Sequence, residues 1–215
     1  STSLDGNICH FGVWHDELSQ AEIRELMTAT TYAEAVSKGG STPRAYFLLE
    51  SNATDSVGAI TYTTSSSTSG TLTNGAAIVG DRARLPNGFD LTGNRVDARC
   101  FSGRAVNFDG TGDFINCGTP AASQIGTGVD FSVSYWAKTS TTSGEVYVFT
   151  RRDDHTGTIY DGWRFGFSDG KVRYNLQSDA ASDPSKEVTS SLVTADGLWH
   201  FYAFTIDRDG NWINY

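Results

Sequence analysis

The apolar positions change period twice along the chain. Residues 6–14 (GNICHFGVW) alternate loosely and predict one short strand. A helix follows over 19–28, with Leu18 at N′, Ser19 as N-cap, Glu22 at N3 and Ile23 at N4. That combination is a capping box joined to a hydrophobic staple. Ile23, Leu26 and Met27 then fall on one face, and a second helical stretch runs from Tyr32 to Ser37 and ends at Gly39-Gly40. Lys38-Gly-Gly-Ser-Thr-Pro43 has the composition of a flexible linker closed by a proline that forbids helix.

Beyond Pro43 the pattern is that of strands. Ala45 to Leu49 is a short apolar strand, Thr61 to Thr73 a Ser/Thr-rich loop or solvated edge, and Asn74 to Asn94 a Gly/Asn-rich irregular stretch. Ala105–Phe108 and Asp113–Cys117 read as two strands around the tight turn Asp109-Gly-Thr-Gly112. Phe131, Val133 and Tyr135 share one face, with Ser132, Ser134 and Trp136 on the other. Glu145 to Thr150 is a further strand. Trp163, Phe165 and Phe167 also share a face, and after Ser168-Asp169-Gly170 the return strand carries Val172, Tyr174 and Leu176. Trp199 to Ile206 is apolar on both faces apart from His200 and Thr205, so it is expected to be a central strand. Asp209-Gly210 opens a last hairpin, whose second strand runs to Tyr215 and suggests that the natural protein continues.

Composition narrows the class. The 215 residues hold 23 glycines against 4 prolines and carry a formal net charge of −9. Short β-branched and aromatic runs between Gly, Asp, Asn and Ser point to an antiparallel all-β protein. No cluster of Lys and Arg exists to neutralise phosphates, which excludes nucleic-acid binding and disfavours an anionic membrane surface. No apolar run approaches the roughly 18–20 residues that would span a bilayer. Cys9, Cys100 and Cys117 lack metal-ligand spacing. Cys100 and Cys117 could pair, although isolated thiols are the plainer reading. Asn52-Ala-Thr54 matches a glycosylation acceptor. Ser1-Thr2-Ser3-Leu4 shows neither initiator Met nor signal peptide, as expected of an internal segment.

At this point the residues resemble a known family. Arg104-Ala-Val-Asn-Phe-Asp-Gly-Thr-Gly-Asp-Phe-Ile115 is similar to the opening signature of laminin-G-like, concanavalin A-superfamily domains. Phe131-Ser-Val-Ser-Tyr-Trp136 resembles their next strand, and Asp196-Gly-Leu-Trp-His-Phe-Tyr-Ala-Phe-Thr205 their later Trp-His strand. Asp5-Gly-Asn-Ile-Cys-His-Phe-Gly-Val-Trp14 with Leu18-Ser-Gln-Ala-Glu-Ile23 is similar to the last strand and closing helix of the same fold. The simplest expectation is therefore a tandem junction. Residues 1–37 would be the C-terminal strand and helix of a preceding module, 38–44 a linker, and 45–215 most of a second module, truncated at its end. A circularly permuted arrangement ranks second, with residues 6–14 supplying the missing strand of the sandwich that follows. Either way the resemblance implies a two-sheet antiparallel β-sandwich of jelly-roll type with a short N-terminal helical segment.

Catalytic chemistry is not evident. Hydrolases of this superfamily carry a Glu-x-Asp-x-x-Glu strand that sets carboxylates on one face as nucleophile and acid. None of Glu17, Glu22, Glu25, Glu34, Glu50, Glu145 and Glu187 begins such a motif. There is no Gly-x-Ser-x-Gly elbow. His200 reads as a structural histidine within its strand, His10 and His15 as surface residues, and Asp153-Asp154-His155 as a solvated loop. Calcium is the one metal to weigh, since family members often bind it. The candidates are Asp55, Asp109 and Asp113, for which turn formation is the plainer role. Cys9 and His10 stand where the family often has acidic residues. Tyr147, Tyr160 and Trp163 are aromatics near loops that could stack on a sugar, with core packing as the competing role for Trp163. The resulting expectation is a non-catalytic, lectin-like or adhesion module of a repetitive surface or virion protein. It would be extracellular, possess no membrane-inserted segment, and bind a surface glycan or neighbouring protein subunits. A structural phage tail, fibre or capsid-decoration module making protein–protein contacts in an oligomer is the alternative.

Overall fold

A computed structural model describes residues 2–49, 53–54, 69–73, 77–79, 105–116, 129–155, 159–177, 186–207 and 212–214. Asn52, Asp55, Cys100 and Cys117 lie outside these residues, as do 61–68 and 80–94.

The chain begins with β1 (Thr2–Ser3) and β2 (Asp5–Trp14), then α1 (Gln20–Leu26) and α2 (Tyr32–Lys38). Short strands follow: β3 (Ala45–Phe47), β4 (Ala53–Thr54), β5 (Ser69–Thr73), β6 (Ala77–Val79), β7 (Ala105–Asp109) and β8 (Phe114–Asn116). The longer ones are β9 (Phe131–Thr139), β10 (Glu145–His155), β11 (Ile159–Ser168), β12 (Lys171–Gln177), β13 (Lys186–Val193) and β14 (Trp199–Ile206), with β15 (Trp212–Asn214) last. A seven-stranded sheet runs β15-β14-β9-β2-β7-β6, with β3 also on β2, and faces a five-stranded sheet β1-β10-β11-β12-β13. All pairings among the described residues are antiparallel except β1 with β10. A small third sheet joins β4, β5 and β8. The expected all-β sandwich with a short helical segment is the observed architecture.

Alternation fills the space between the two large sheets. Val146, Trp163, Phe165, Phe167, Val172 and Tyr174 from one sheet meet Phe131, Val133, Tyr135, Tyr202, Phe204 and Ile206 from the other in one core. Rings interlock across the gap, with Phe165 5.0 Å from Phe204 and Phe167 edge-on to Tyr202 at 5.5 Å. A bulge in β10 between Tyr147 and Phe149 brings Phe149 onto this core, where it stacks on Phe11 at 3.5 Å.

The tandem-junction expectation requires correction. β2 closes no separate module: it lies in the middle of the seven-stranded sheet, paired with β9 on one side and with β7 and then β3 on the other. With both hydrogen-bonding edges taken and most of its side chains buried, it belongs to the same sandwich as the residues after Pro43. Residues 6–14 thus supply a strand to the sandwich formed by the residues that follow. The stretch from 38 to 44 is likewise packed rather than a free linker. Trp14 Nε1 donates to the Ser41 carbonyl at 3.3 Å, and Arg44 N–H to the Val13 carbonyl at 2.7 Å. Gly40 adopts φ +68 against the Glu22 carboxylate, where a Cβ would come within 2.0 Å of Oε1.

Both helices form where their caps predict. Ser19 and Glu22 make the reciprocal capping box, and Thr31 caps α2. They pack on the outer face of the seven-stranded sheet, where Ile23, Leu26, Ala29 and Ala35 bury Trp14, Tyr46 and Ala203. Gly12 leaves room for the Trp14 ring, since a Cβ at that position would lie only 2.4 Å from it. Ser132 ties the layers together: its Oγ accepts from Leu18 N–H at 2.8 Å and donates to the Asp16 carbonyl at 2.7 Å.

Further differences from the sequence expectation have local causes. β7 and β8 are both strands but do not pair with each other; β7 joins β2 and β6, and β8 joins β5. β5 lies in the stretch expected to be a loop or a solvated edge, and β6 in the one expected to be irregular. Asp153-Asp154-His155 forms the end of β10, opposite residues 159–161, rather than a loop. His10 is buried, not a surface residue, and its Nδ1 lies 3.1 Å from the Tyr46 hydroxyl.

The Tyr135 hydroxyl has a testable consequence for the core. Tyr135 is fully buried, burial pushes its phenol pKa far up, and its hydroxyl has no partner among the described residues. An unmet buried hydroxyl costs about 1–3 kcal/mol. Tyr135→Phe is therefore expected to leave stability unchanged or raise it by about 1 kcal/mol, whereas Trp14→Ala is expected to cost about 3–5 kcal/mol. Urea unfolding midpoints check both, and a marked loss in Tyr135→Phe would mean that the hydroxyl is bonded.

Candidate functional site

The outer face of the seven-stranded sheet is buried. Helices cover Trp14 and Tyr46, while Cys9, Ala105, Trp136 and Trp199 form a second closed group beside Met27. The outer face of the five-stranded sheet carries the opposite kind of surface. Alternation that sends Val146, Phe165, Phe167, Val172 and Tyr174 inward sends Tyr147, Arg164, Gly166, Arg173 and Asn175 outward.

Register sets these residues side by side. Tyr147 stands opposite Gly166, and Gly166 opposite Arg173. In the next row Arg164 stands opposite Asn175, and Asn175 opposite Glu187. Gly166 is required by close approach: a Cβ there would sit 2.0 Å from the Val146 carbonyl oxygen, beside the β10 bulge. Its missing side chain leaves a shallow notch, with no enclosed space for a water molecule, lined by Tyr147, Arg164, Gly166, Phe167, Arg173 and Asn175.

A chain of hydrogen bonds frames the notch. Arg164 Nη1 donates to the Tyr147 hydroxyl at 2.7 Å, with its guanidinium 4.7 Å from the centre of the Tyr147 ring. The Tyr147 hydroxyl donates to Glu145 Oε2 at 2.5 Å. Arg173 then bridges two carboxylates, Glu145 through Nη1 and Glu187 through Nη2, the latter at 2.5 Å. The hydrogen bond from Tyr147, and next the one from Arg173, hold the Glu145 carboxyl below its ordinary range. Burial, and then the bond to Glu145, push the Tyr147 phenol up, so it stays protonated as a donor. The Nε–H groups of Arg164 and Arg173 are buried and find no acceptor among the described residues.

Of the sequence candidates, Tyr147 belongs to this face, while Trp163 is a core residue packed 5.0 Å from Phe165. Tyr160 lies in β11, with its side chain outside the described residues. Glu145 and Glu187, isolated in the sequence, are joined through Arg173. Arg164, Arg173, Gly166 and Asn175 carry no motif that sequence reasoning could find. Strand alternation marks them as outward-facing, but their neighbours follow only from the pairing of β10 to β13. His200 has the expected structural partner, with Nε2 2.9 Å from Asp196 Oδ1. His15 accepts from Arg44 Nε at 3.2 Å.

Of the calcium candidates, Asp109 and Asp113 make turn hydrogen bonds, and Asp55 lies outside the described residues. Asp109 Oδ1 accepts from Thr111 N–H at 2.7 Å, and Asp113 Oδ2 from Asp109 N–H at 2.8 Å. Asp113 Oδ1 is buried without a partner among the described residues. A calcium ion needs six to eight oxygens, and among the described residues no group of three or more His, Cys, Asp or Glu side chains is placed to hold a metal. The pair does not fit that ion by itself. Among the described residues no helix is long and apolar enough to cross a membrane.

The Glu145 carboxyl supplies a pH test. Its pKa is lowered in the folded protein, so the network's contribution is complete above the unfolded-state value and is lost as pH falls through the folded one. NMR titration of this carboxyl is expected to give a midpoint below 4.5, the ordinary value, and Tyr147→Phe is expected to move it up. An unchanged midpoint in Tyr147→Phe would remove the hydroxyl from the network.

Residues 109–215 match the family model Laminin_G_3, described as the concanavalin A-like lectin/glucanases superfamily. No curated protein and no solved structure gives a match. The matched segment carries β10 to β13 of the five-stranded sheet and β9, β14 and β15 of the seven-stranded one, and over these residues the chain is similar to the concanavalin A-like lectin/glucanases superfamily.

Proposed function

We propose that this chain is a non-catalytic, lectin-like binding module of a cell-surface or virion protein, taking a glycan or a protein segment on the outer face of its five-stranded sheet. The observation that carries this reading is the Arg164–Tyr147–Glu145–Arg173–Glu187 network around the Gly166 notch. Its donors and acceptors are fixed before any ligand arrives, so little side-chain entropy remains to be lost on binding. The family resemblance supports an extracellular setting. The superfamily includes both lectins and glucanases, and here the chemistry of the face favours binding. A glycosidase acid needs a raised pKa, whereas Glu145 is held low and shares Arg173 with Glu187.

A second reading has its own observation. Leu192, Val193 and Leu198 are 71%, 56% and 56% exposed at the end of the edge strand β13 and in the turn after it. Exposed apolar groups beside an open strand edge suit contact between protein subunits, as in a tail, fibre or capsid-decoration module.

Glycan-array binding by the wild type and Arg164→Ala, with light scattering on both, separates the readings. The first expects glycan binding that falls at least about tenfold in Arg164→Ala, about 1.4 kcal/mol, while near-ultraviolet circular dichroism is unchanged. Equal binding by the two proteins would move the site elsewhere. Absence of glycan binding, with self-association abolished by Leu192→Lys, would establish the second reading instead.

A further inference from the structure

We infer that β13 is a docking edge for a second copy of this chain. The two β13 strands pair antiparallel about a two-fold axis and join two five-stranded sheets into one continuous sheet. This rests on the second reading above and names its partner. β13 is eight residues long and ends the order β1-β10-β11-β12-β13. One of its hydrogen-bonding sides is taken by β12, and the other is open among the described residues. Among those residues the other strands with an open side, β1, β3, β4, β6, β8 and β15, run for only two or three residues. A sheet edge is ordinarily blunted by shortness, by proline or by charge along its length. β13 holds no proline, its two charges stand together at its start as Lys186 and Glu187, and Val188 to Val193 is uncharged.

A bulge shapes this edge. The register with β12 slips between Lys171 and Arg173, and Ser190 closes the gap. Its Oγ accepts from Val172 N–H at 3.1 Å and donates to the Leu192 carbonyl at 2.9 Å. The bulge leaves Leu192 and Val193 exposed, with Leu198 exposed in the turn that follows. Symmetry then selects the partner. About a two-fold axis the central residues meet their own copies, so a charged centre would set like charges against each other. Two chains of formal charge −9 repel one another, and a centre within Val188 to Val193 adds nothing to that repulsion. Pairing supplies partners to the open backbone groups of β13, and the partner's strand covers Leu192 and Val193. Because the contact is the same on both copies, it closes at two.

Sedimentation and disulfide trapping test it. The wild type is expected to form a dimer, and nothing larger, between about 1 µM and 1 mM, the span of weak to moderate association. Thr189→Lys sets a charge beside its own copy and should raise the dissociation constant at least about tenfold, with near-ultraviolet circular dichroism unchanged. Thr189→Val should keep it within about threefold. Raising NaCl from roughly 0.1 to 1 M should not weaken the dimer, since no ion pair holds it and screening only relieves repulsion. In a chain carrying Cys100→Ser and Cys117→Ser, single cysteines are placed in turn from Val188 to Leu192. The intermolecular disulfide should form most readily where the axis falls, at one position or two neighbours, and less on either side. A dimer without such a maximum, one untouched by Thr189→Lys, one that dissociates in salt, or an assembly that grows past two copies would overturn strand pairing and leave subunit contact standing. A wild type that stays monomeric up to about 1 mM would overturn both.

Discussion

The fold depends on one strand being held on both edges. β2 pairs with β9 from Gly6 to Trp14 and, on its other side, with β7 over Asp5–Ile8 and β3 over Phe11–Val13. Removing it would cut the seven-stranded sheet in two and expose backbone donors and acceptors along both cuts. Side-chain bonds reinforce the insertion. Thr139 Oγ1 donates to the Asp5 carbonyl at 2.7 Å, and Asn107 Nδ2 to Asn7 Oδ1 at 2.7 Å. Because β2 continues through Trp14 toward α1, the same strand that completes the sandwich also delivers the helices to its outer face.

The loose alternation of residues 6–14 is explained by a change of phase. Ile8 faces the inner core, but so do Phe11 and Val13, which an unbroken two-residue period would place on the opposite face. The register shifts between Cys9 and Gly12, and His10 adopts φ 53 to absorb the extra residue. A non-glycine residue in this region is strained. Here the Leu48 carbonyl, which accepts from His10 N–H at 3.1 Å, and the Tyr46 hydroxyl hold it. No local propensity announces such a bulge, so the sequence could suggest a strand without giving its phase.

Legibility followed the range of the interaction. The capping box at Ser19 and Glu22, the alternation in β9, β11 and β12, and the two-sided apolar character of β14 are encoded within a few residues, and each is present. The place of β2 in the sheet was not encoded that way, because its partners β7 and β9 begin only at Ala105 and Phe131. A strand and capped helix resemble the end of a family module, and only pairing shows which sheet they join. Glu145 and Glu187 present the same difficulty. Each is one carboxylate in an unremarkable strand, and their shared Arg173 emerges only from the registers of β10 to β13.

The sequestering of apolar surface on one sheet and the display of polar surface on the other are two consequences of the same arrangement. With helices packed on the outer face of the seven-stranded sheet, residues there are selected for burial: Trp14, Tyr46 and Ala203. The five-stranded sheet has no such cover among the described residues, so its outward positions can hold arginine, glutamate and tyrosine at their full chemical range. Pleating would normally leave a level carpet of such side chains. The bulge in β10 changes that by pressing the Val146 carbonyl against Gly166, which forbids a side chain at the centre of the face. The same bulge brings Phe149 onto the core, so the packing that steadies the sandwich and the depression that gives its open face a shape have a common origin.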